Sequence, residues 1–544
     1  MQRREFLLSS LAVTAATTPD TIVYNGVIYT APEGSGYRKV QALAIAGGRI
    51  LASGDNREIL ALATAATKKI DLGGKPVLPG FIDSHCHIAG AGLRHLREVD
   101  ADLRSIADIQ KAVRERAAKT ARGEWIIGFK YDDTKTAEGR KLSRQDLDAA
   151  APEHPVLIVH RGGHTAFANS PALQKMDYND KSPDPAGGAI IRDGGGHLTG
   201  ELQETAVRRP ASANKPATPL ERQRGVALIT KMFAKAGVTS STDAGGAPED
   251  LRAYTDALEA GELSCRVYSH IRYAALERMI AAGIRTRMGN EWVRVGAIKL
   301  VADGSISERT ARLSRPYEGR PKDFGIMVTE EAELYEQAKK ATLAGWQVGT
   351  HANGDVAIDV TLRVYERLQR EHPQRDPRFR LEHCTVIDDN LLRRMKALDA
   401  IPTPFWTYVY YHGEKMSQYG AERLNSMFAM RSFLDHGIRV APGSDYVPGR
   451  FEPMMALQSC VTRTDAQGTV WGAKQKITVA ETVKASTING AWATFEEKMK
   501  GTLEPGKYAD LVVLGRDPFT ADSSTLVSIP VERTMAGGRW VYES

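Results

Sequence analysis

The stretch PVLPGFIDSHCHIAGAG, residues 76–92, points to both the fold and the chemistry of this chain. Its apolar residues, ending at Phe81 and Ile82, are typical of a buried strand, and His85 and His87 follow two positions apart. Side chains two apart on a strand point the same way, so both imidazoles can reach one cation. The glycines after His87 predict a loop that leaves the end of the strand open. A lone His-x-His pair also arises by chance, so the rest of the chain must show whether these two histidines bind a metal.

The middle of the chain, residues 79–495, alternates short apolar runs with amphipathic helical patterns such as TEEAELYEQAKKATLAG. This alternation predicts an α/β fold with a parallel sheet, and the number of repeats fits a (β/α)8 barrel better than an open sheet. The candidate strands are GFIDSHCH, PVLIVHRGG, GVTSSTDAG, CRVYSHIRY, RVGAIKLVADG, QVGTHANGD, FRLEHCTVI, AIPTPFW and RVAPGSDY.

Additions to this barrel are expected at both ends and within it. Residues 19–78 and 496–544 share β-rich patterns with glycine turns, which predicts one small β-sandwich domain built from both termini. Residues 93–225 form a long segment after the first strand, with a strand-like piece of its own, WIIGFKYDD. We expect an inserted subdomain or lid there.

The first residues have the layout of an export signal. Arg3 and Arg4 precede a short apolar run and small residues, which predicts a twin-arginine signal peptide over residues 1–18 and a periplasmic or secreted protein. The alternative is an ordinary N-terminal helix with chance arginines. No run is long enough for a permanent membrane anchor, and a net charge of +6 over 544 residues makes nucleic acid an improbable partner.

Metal-competent side chains end several of the predicted strands. In a parallel barrel these strand ends open on one face, where active sites form, so residues far apart in sequence can converge. Imidazoles and carboxylates together suit zinc and similar divalent ions. The candidate ligands are His85, His87, Lys299, His351, His383 and Asp445.

Two of these residues have alternative interpretations. Lys299 either pairs with Asp303 or, as a neutral amine, reacts with carbon dioxide to give a carbamate that bridges two metals. Asp445 in a GSD turn is either a turn residue, a metal ligand or the group that moves the proton of the attacking water. We favour the functional interpretation for both because each ends a barrel strand.

Five spaced motifs together resemble the amidohydrolase superfamily, and finer features resemble its YtcJ-like branch, which includes N-substituted formamide deformylases. The resemblance covers nearly the whole chain after the predicted signal. The motifs are PGFIDSHCH, AIKLVADGS, GTHANGD, RLEHCTVI and APGSDYV, and the finer features are HRGGHTAFANSPAL, GHLTGELQETA and DGSISERTARLSRPY.

This resemblance implies a distorted TIM barrel with one or two divalent metal ions, most often zinc. It assigns His-x-His to strand one, Lys299 to strand four, His351 and His383 to strands five and six, and Asp445 to strand eight. The implied reaction is hydrolysis by metal-activated hydroxide, with Asp445 as the proton shuttle. Barrels of this type often pair, which leaves a homodimer open.

Weaker candidates surround this core. His164 matches a histidine of the branch and is expected to polarise the substrate carbonyl or bind an anion, or else to be an ordinary loop histidine. Arg309 is either an anion-binding residue or a surface arginine. Glu382 precedes His383 and is therefore expected to point to the opposite face. Asp303 can orient a metal ligand from behind.

An aromatic segment, TPFWTYVYYHGEKM, stands where relatives tend to have Gln-Pro on strand seven. Trp406 and Tyr408 are candidate substrate-binding residues, because aromatic side chains at the barrel mouth favour an apolar or aromatic substrate. The alternative is that this segment packs against the inserted subdomain. Cys86 and Cys384 neighbour ligand histidines but should point away from the metal.

The sequence thus predicts a hydrolase of C–N bonds in a small-molecule amide, N-acyl or N-formyl substrate. A lactonase, esterase or carbamate hydrolase needs the same attack on a polarised carbonyl and stays open. A non-catalytic binding protein with the same barrel is the remaining alternative, against which the complete ligand set argues.

Overall fold

A computed structural model describes residues 18–161, 163–208, 210 and 216–544 of the chain. All but the last residue of the predicted export signal lies outside these ranges, so that signal stays a prediction. Among the described residues, the search for a helix long and apolar enough to cross a membrane finds none.

Seven short strands and one helix precede the barrel. They are β1 Thr21–Tyr24, β2 Val27–Glu33, β3 Gly36–Val40, β4 Ala42–Ala46, β5 Arg49–Gly54, α1 Asn56–Leu60, β6 Lys68–Asp71 and β7 Pro76–Pro79. Asp55 starts α1 by accepting a hydrogen bond from the Glu58 amide, as an N-cap residue does.

The first barrel strand and its helix lead into the insertion. They are β8 Phe81–Cys86 and α2 Ile88–Arg97, followed by β9 Val99–Asp100, α3 Ile106–Ala117, β10 Ile126–Tyr131, α4 Arg144–Ala150, β11 Val156–His160, β12 Thr165–Ala168, α5 Ser170–Lys175, β13 Gly188–Arg192 and β14 Leu198–Glu204. The six insertion strands form their own sheet in the order β13-β14-β12-β11-β10-β9. PVLIVHRGG therefore belongs to the insertion and not to the barrel.

The chain then returns to the barrel. This part contains α6 Pro219–Lys235, β15 Val238–Gly246, α7 Pro248–Glu259, β16 Arg266–Arg272, α8 Leu276–Ala281, β17 Val293–Val301, α9 Glu331–Leu343, β18 Val348–Ala352, α10 Asp355–Glu371, β19 Arg380–His383, α11 Asp389–Ala397 and β20 Ile401–Thr403. Strands β8 and β15 to β20 form one parallel sheet of seven strands. Their side chains are almost all buried, as expected for parallel strands covered by helices.

The remaining elements are helices that cover the barrel and strands that return to the terminal sheets. They are α12 Tyr408–His412, α13 Ala421–Leu424, α14 Met430–Asp435, α15 Pro453–Thr462, α16 Val479–Lys484, α17 Gly490–Ala493, β21 Leu511–Leu514, β22 Val531–Ala536 and β23 Arg539–Glu543.

Residues 440–446 close the barrel between β20 and β8 without forming a regular strand. The Ala441 amide donates to the Pro402 carbonyl at 3.1 Å, and the Asp445 amide donates to the His85 carbonyl at 2.7 Å. A Cβ on Gly443 would collide with the backbone of His85, so only glycine allows this close approach. The predicted distorted (β/α)8 barrel is thus confirmed, with its irregularity at the eighth strand.

Strands from both ends of the chain form two further sheets. One has the order β5-β4-β1-β6 and the other β23-β22-β21-β7-β2-β3, so β21 pairs with β7 although more than 400 residues separate them. Val23 and Leu43 of the first sheet share a buried core with Val77 and Leu511 of the second. This shared core makes the two sheets a small sandwich beside the barrel.

The loop predicted after His87 is wrong, because α2 begins at Ile88. Gly92 lies inside this helix, where a Cβ would overlap the backbone of Gly225 in α6. The glycine therefore allows two helices to pack closely, which outweighs its low helix propensity.

Candidate metal centre

The six predicted ligands converge at the carboxyl ends of the barrel strands. Lys299 Nζ lies 3.3 Å from His85 Nε2, and Asp445 Oδ1 lies 3.1 Å from His87 Nε2. The ring centre of His383 is 4.5 Å from that of His85 and 4.5 Å from that of His351. Side chains from the ends of four strands, β8, β17, β18 and β19, and from the closing segment thus surround one point, as the barrel position predicts.

Hydrogen bonds fix which nitrogen of two histidines faces this point. His85 Nδ1 lies 2.6 Å from Glu382 Oε2, and His351 Nε2 lies 3.0 Å from the Gly304 carbonyl. Because both oxygens accept, those nitrogens carry the protons, and His85 Nε2 and His351 Nδ1 keep their lone pairs. This arrangement is the one that orients metal-ligating histidines.

Burial keeps these imidazoles neutral. Burial, reinforced by the charge of Lys299, lowers the pKa of His85 and that of His351 to about 4 each. Burial and the two neighbouring histidines hold the pKa of His383 well below its usual value. Within the described part of the chain, His383 Nδ1 is buried without a hydrogen-bond partner. Neutral imidazoles are the form that binds metal.

Lys299 and Asp445 have the protonation behaviour that a metal site needs. Burial lowers the pKa of Lys299 to about 8. A sizeable fraction of its amine is therefore neutral near neutral pH. Burial alone would raise the pKa of Asp445, but its hydrogen bond with His87 and the charge of His87 outweigh burial and lower it. The donor set therefore fits a divalent cation: neutral nitrogens, one carboxylate and a lysine able to lose its proton.

The expectation that Glu382 points to the opposite face is wrong. Glu382 is fully buried inside the barrel, where it accepts from Arg380 Nε at 2.7 Å and from Thr403 Oγ1 at 2.6 Å. The charges of Arg380 and His85 outweigh burial and hold its pKa well below the usual value. Strand alternation fails at His383, whose φ of +71° turns its ring back toward the site.

Two further aspartates support the ligands from behind. Asp83 accepts from the Ser444 amide at 2.9 Å and from the His85 amide at 3.2 Å, which ties strand one to the closing segment. Asp303 accepts from the amides of Asn353 and Gly354 at 2.9 and 2.8 Å. Asp303 Oδ1 lies 3.7 Å from His351 Nε2. Asp303 is therefore placed to orient the candidate ligand His351, as the sequence suggested.

A small enclosed cavity of about 120 Å³ adjoins Asp445. Tyr408 lines it, and the hydroxyl of Tyr408 lies 3.0 Å from Ser307 Oγ. Phe405 also lines it and stacks on His383 at a ring distance of 4.5 Å. We call this space the mouth cavity.

The prediction that Trp406 binds substrate is not supported by its position. Its side chain is 1% exposed and belongs to the hydrophobic core outside the barrel lumen. Alternation along the chain points Phe405 into the mouth cavity and Trp406 away from it. Phe405, which the sequence analysis did not single out as a substrate-binding residue, therefore lines the cavity in place of Trp406.

The other candidates lie at the rim. The His164 ring is more than half exposed, with Nδ1 3.0 Å from Glu204 Oε2 and Nε2 3.4 Å from Glu308 Oε1. The hydrogen bond with Glu204 raises its pKa. Arg309 is half-buried in the loop after β17 with a φ of +58°, and it does not line the mouth cavity. Neither residue reaches the predicted ligands directly.

The aromatic segment also contacts the insertion. The hydroxyl of Tyr411 is hydrogen-bonded to Asp102 and, at 2.6 Å, to Arg161 Nη2. Lys135 of the insertion donates to the Tyr411 carbonyl at 2.8 Å. One part of this segment therefore faces the cavity, and another packs against the inserted subdomain.

Comparisons with known proteins agree with this site. A sequence profile of the amidohydrolase family matches residues 68–542. The chain is 29% identical to the putative amidohydrolase YtcJ of Bacillus subtilis, over 96% of this chain and 99% of that protein. It is 28% identical to the N-substituted formamide deformylase of Arthrobacter pascens, over 92% and 95% of the two chains.

A solved structure extends the comparison to the fold. An uncharacterized metal-dependent hydrolase from Pyrococcus horikoshii superposes with a TM-score of 0.73 at 25% identity, covering 92% of this chain and 99% of that one. The chain therefore belongs to the amidohydrolase family and is a metal-dependent hydrolase of that family.

Proposed function

We propose that this hydrolase cleaves the C–N bond of small amides, with N-acyl or N-formyl compounds as substrates. The observation that carries the proposal is the position of Asp445. Its carboxylate lies 3.1 Å from His87 Nε2 and 3.6 Å from His85 Nε2, and the residue lines the mouth cavity. One carboxylate thus faces both the candidate ligands and the space where a substrate can bind.

The six converging residues would hold one or two divalent ions, and we propose zinc because imidazole and carboxylate ligands suit it. Such an ion supplies Lewis acidity, which polarises the substrate carbonyl and activates the attacking water. Glu382 and Asp303 keep His85 and His351 oriented for this task.

Asp445 would move the proton. As general base it takes a proton from the attacking water while the new C–O bond forms at the carbonyl carbon. It then donates this proton to the nitrogen as the C–N bond breaks, so that the products are a carboxylic acid and an amine. An amine leaves poorly without this proton, which is why a positioned acid matters more for amides than for activated esters.

Lys299 would help to hold the metal as a carbamate. In this step its neutral amine nitrogen forms a bond with the carbon of carbon dioxide and releases one proton. The lowered pKa of Lys299 and its 3.3 Å distance to His85 Nε2 support this role. The test is Lys299→Ala: we expect loss of bound zinc and recovery of zinc and activity with a short carboxylic acid. Unchanged zinc would make Lys299 a structural residue.

A relative supports an amide substrate, and the cavity wall supports an apolar substituent on it. A relative over nearly the full length is named an N-substituted formamide deformylase. In addition, the aromatic wall of Phe405 and Tyr408 gives the cavity an apolar side that suits the substituent of an N-acyl compound.

The experiment is a hydrolysis screen with zinc-loaded protein. The panel contains formamides, longer N-acyl compounds, lactones, esters and carbamates of matched size, and Asp445→Asn serves as the control for contaminating hydrolases. We expect amides to be cleaved by the wild type alone. Cleavage of lactones, esters or carbamates without any amide would overturn the assignment to C–N bonds. Absence of all activity in zinc-loaded protein would favour a binding protein.

A further inference from the structure

One cation on the wall of the mouth cavity has no role in the chemistry described so far. Lys415 follows α12 and lines the cavity together with Asp445, Phe405 and Tyr408. It is partly buried. Among the described residues, its ammonium makes no hydrogen bond and no ion pair with a carboxylate. A long charged side chain is held near an enclosed cavity only at a cost, so its presence there calls for a ligand.

The charges around Lys415 are already matched with one another. Arg161 on the same wall pairs with Asp102 at 3.0 Å, and Glu414 pairs with Lys135 at 3.0 Å. Asp132 lies near enough to act on Lys415 electrostatically, but it caps the turn at Thr134 and lies 3.6 Å from Arg161. Within the described part of the chain, no carboxylate forms an ion pair with Lys415.

The acidic residue across the cavity contacts the insertion and makes no ion pair with Lys415 among the described residues. Glu308 lies 3.4 Å from the ring of His164, whose pKa is raised mainly by its hydrogen bond to Glu204. His412, which also lines this wall, donates its Nε2 proton to the Pro448 carbonyl at 3.1 Å. Burial lowers its pKa to about 4, so it adds no charge at neutral pH. The cavity thus has Asp445 as its reactive group, an aromatic side and one lysine that has no carboxylate partner among the described residues.

We propose that Lys415 binds an anionic group of the substrate, so that the preferred substrates are N-acyl compounds bearing a carboxylate. This inference rests on the proposed amide hydrolysis and specifies its substrate class. The carboxylate pairs with the ammonium, the substituent lies along Phe405 and Tyr408, and the amide faces Asp445. An N-acyl amino acid is the simplest compound that carries the carboxylate, the apolar substituent and the amide together.

The test compares two substrates that differ only in the carboxylate: N-formylleucine and N-(3-methylbutyl)formamide, or the same pair with the acyl group that the screen favours. A charge-assisted hydrogen bond contributes roughly 1.5–3 kcal/mol, which corresponds to about a ten- to hundredfold preference for the acid in kcat/KM. In Lys415→Met this preference should disappear, mostly through KM. Lys231→Met, which changes an exposed lysine on α6, should keep it.

The outcomes separate the inference from the proposed function. Equal cleavage of both compounds by the wild type, or an unchanged preference in Lys415→Met with native thermal melting, overturns the anion site alone. Absence of cleavage for every acyl group overturns the proposed function. The anion site is then decided by calorimetric titration of N-formylleucine: binding to the wild type that Lys415→Met loses supports it, and equal binding by both overturns it.

Discussion

The floor and the wall of the mouth cavity are built in different ways. By the floor we mean the candidate ligand set to which Asp445 belongs. Most of these ligands lie on barrel strands, and Lys299 and His351 are placed by parallel pairing without a register shift. The wall consists of irregular segments held by distant contacts, such as the bond between Tyr411 and Asp102, which lie 309 residues apart. The strand framework sets where a metal can bind, whereas the long-range contacts of the wall set what can reach it.

The largest effect is expected from Asp445→Asn, which tests the floor. The amide keeps the shape of the side chain but cannot take up the proton, so kcat should fall by about 10²–10⁴-fold. Steady-state kinetics on the best substrate of the screen measure this change. Zinc content and thermal melting are measured in parallel, because a loss of zinc instead would make Asp445 chiefly a ligand.

The next largest effect separates two neighbours in the wall. Trp406→Ala removes a buried core side chain and should lower the free energy of unfolding by about 3–5 kcal/mol. Phe405→Ala should instead raise KM, because Phe405 lines the cavity. Denaturant unfolding and steady-state kinetics of both variants distinguish a core role from a substrate-binding role. A raised KM with native stability in Trp406→Ala would place the indole at the substrate after all.

Glu382→Gln tests the hydrogen bond by which Glu382 orients His85. Losing the carboxylate that orients His85 should weaken zinc binding about 10–100-fold, as for other residues that hold metal ligands in place. Competition with a chelator measures the affinity, and Glu259→Gln, at an exposed position in α7, is the control. Unchanged affinity in a folded variant would mean that the bond to His85 does not orient it.

The smallest effect is expected from Tyr411→Phe, which removes hydrogen bonds between the wall and the insertion. Removing the hydroxyl that joins Asp102 and Arg161 should cost about 0.5–1.5 kcal/mol of stability and leave zinc content unchanged. Thermal melting and limited proteolysis within the insertion report the change. Tyr410→Phe is the matched control, since its hydroxyl makes no hydrogen bond among the described residues. Equal melting of the two variants would contradict a stabilising role for this contact.

Regular periodicity explains which predictions succeeded. Strands β8 and β15 to β19 follow from apolar runs that end in polar residues, and parallel pairing then brings those ends together. The predictions failed where the backbone leaves regular geometry. Glu382 was misplaced because His383 adopts a left-handed conformation, and the glycines after His87 were read as a loop although they lie in α2.

The sequence by itself determined the strand–helix order, the convergence of the six candidate ligands and the family resemblance, because these depend on local periodicity and motif spacing. The tertiary structure decided that Glu382 holds His85, that Phe405 and not Trp406 lines the cavity, and that Lys415 lies on the cavity wall without an ion pair among the described residues. Each of these depends on side chains from distant segments meeting in three dimensions, and no local pattern in the chain encodes which partners a buried charge will find.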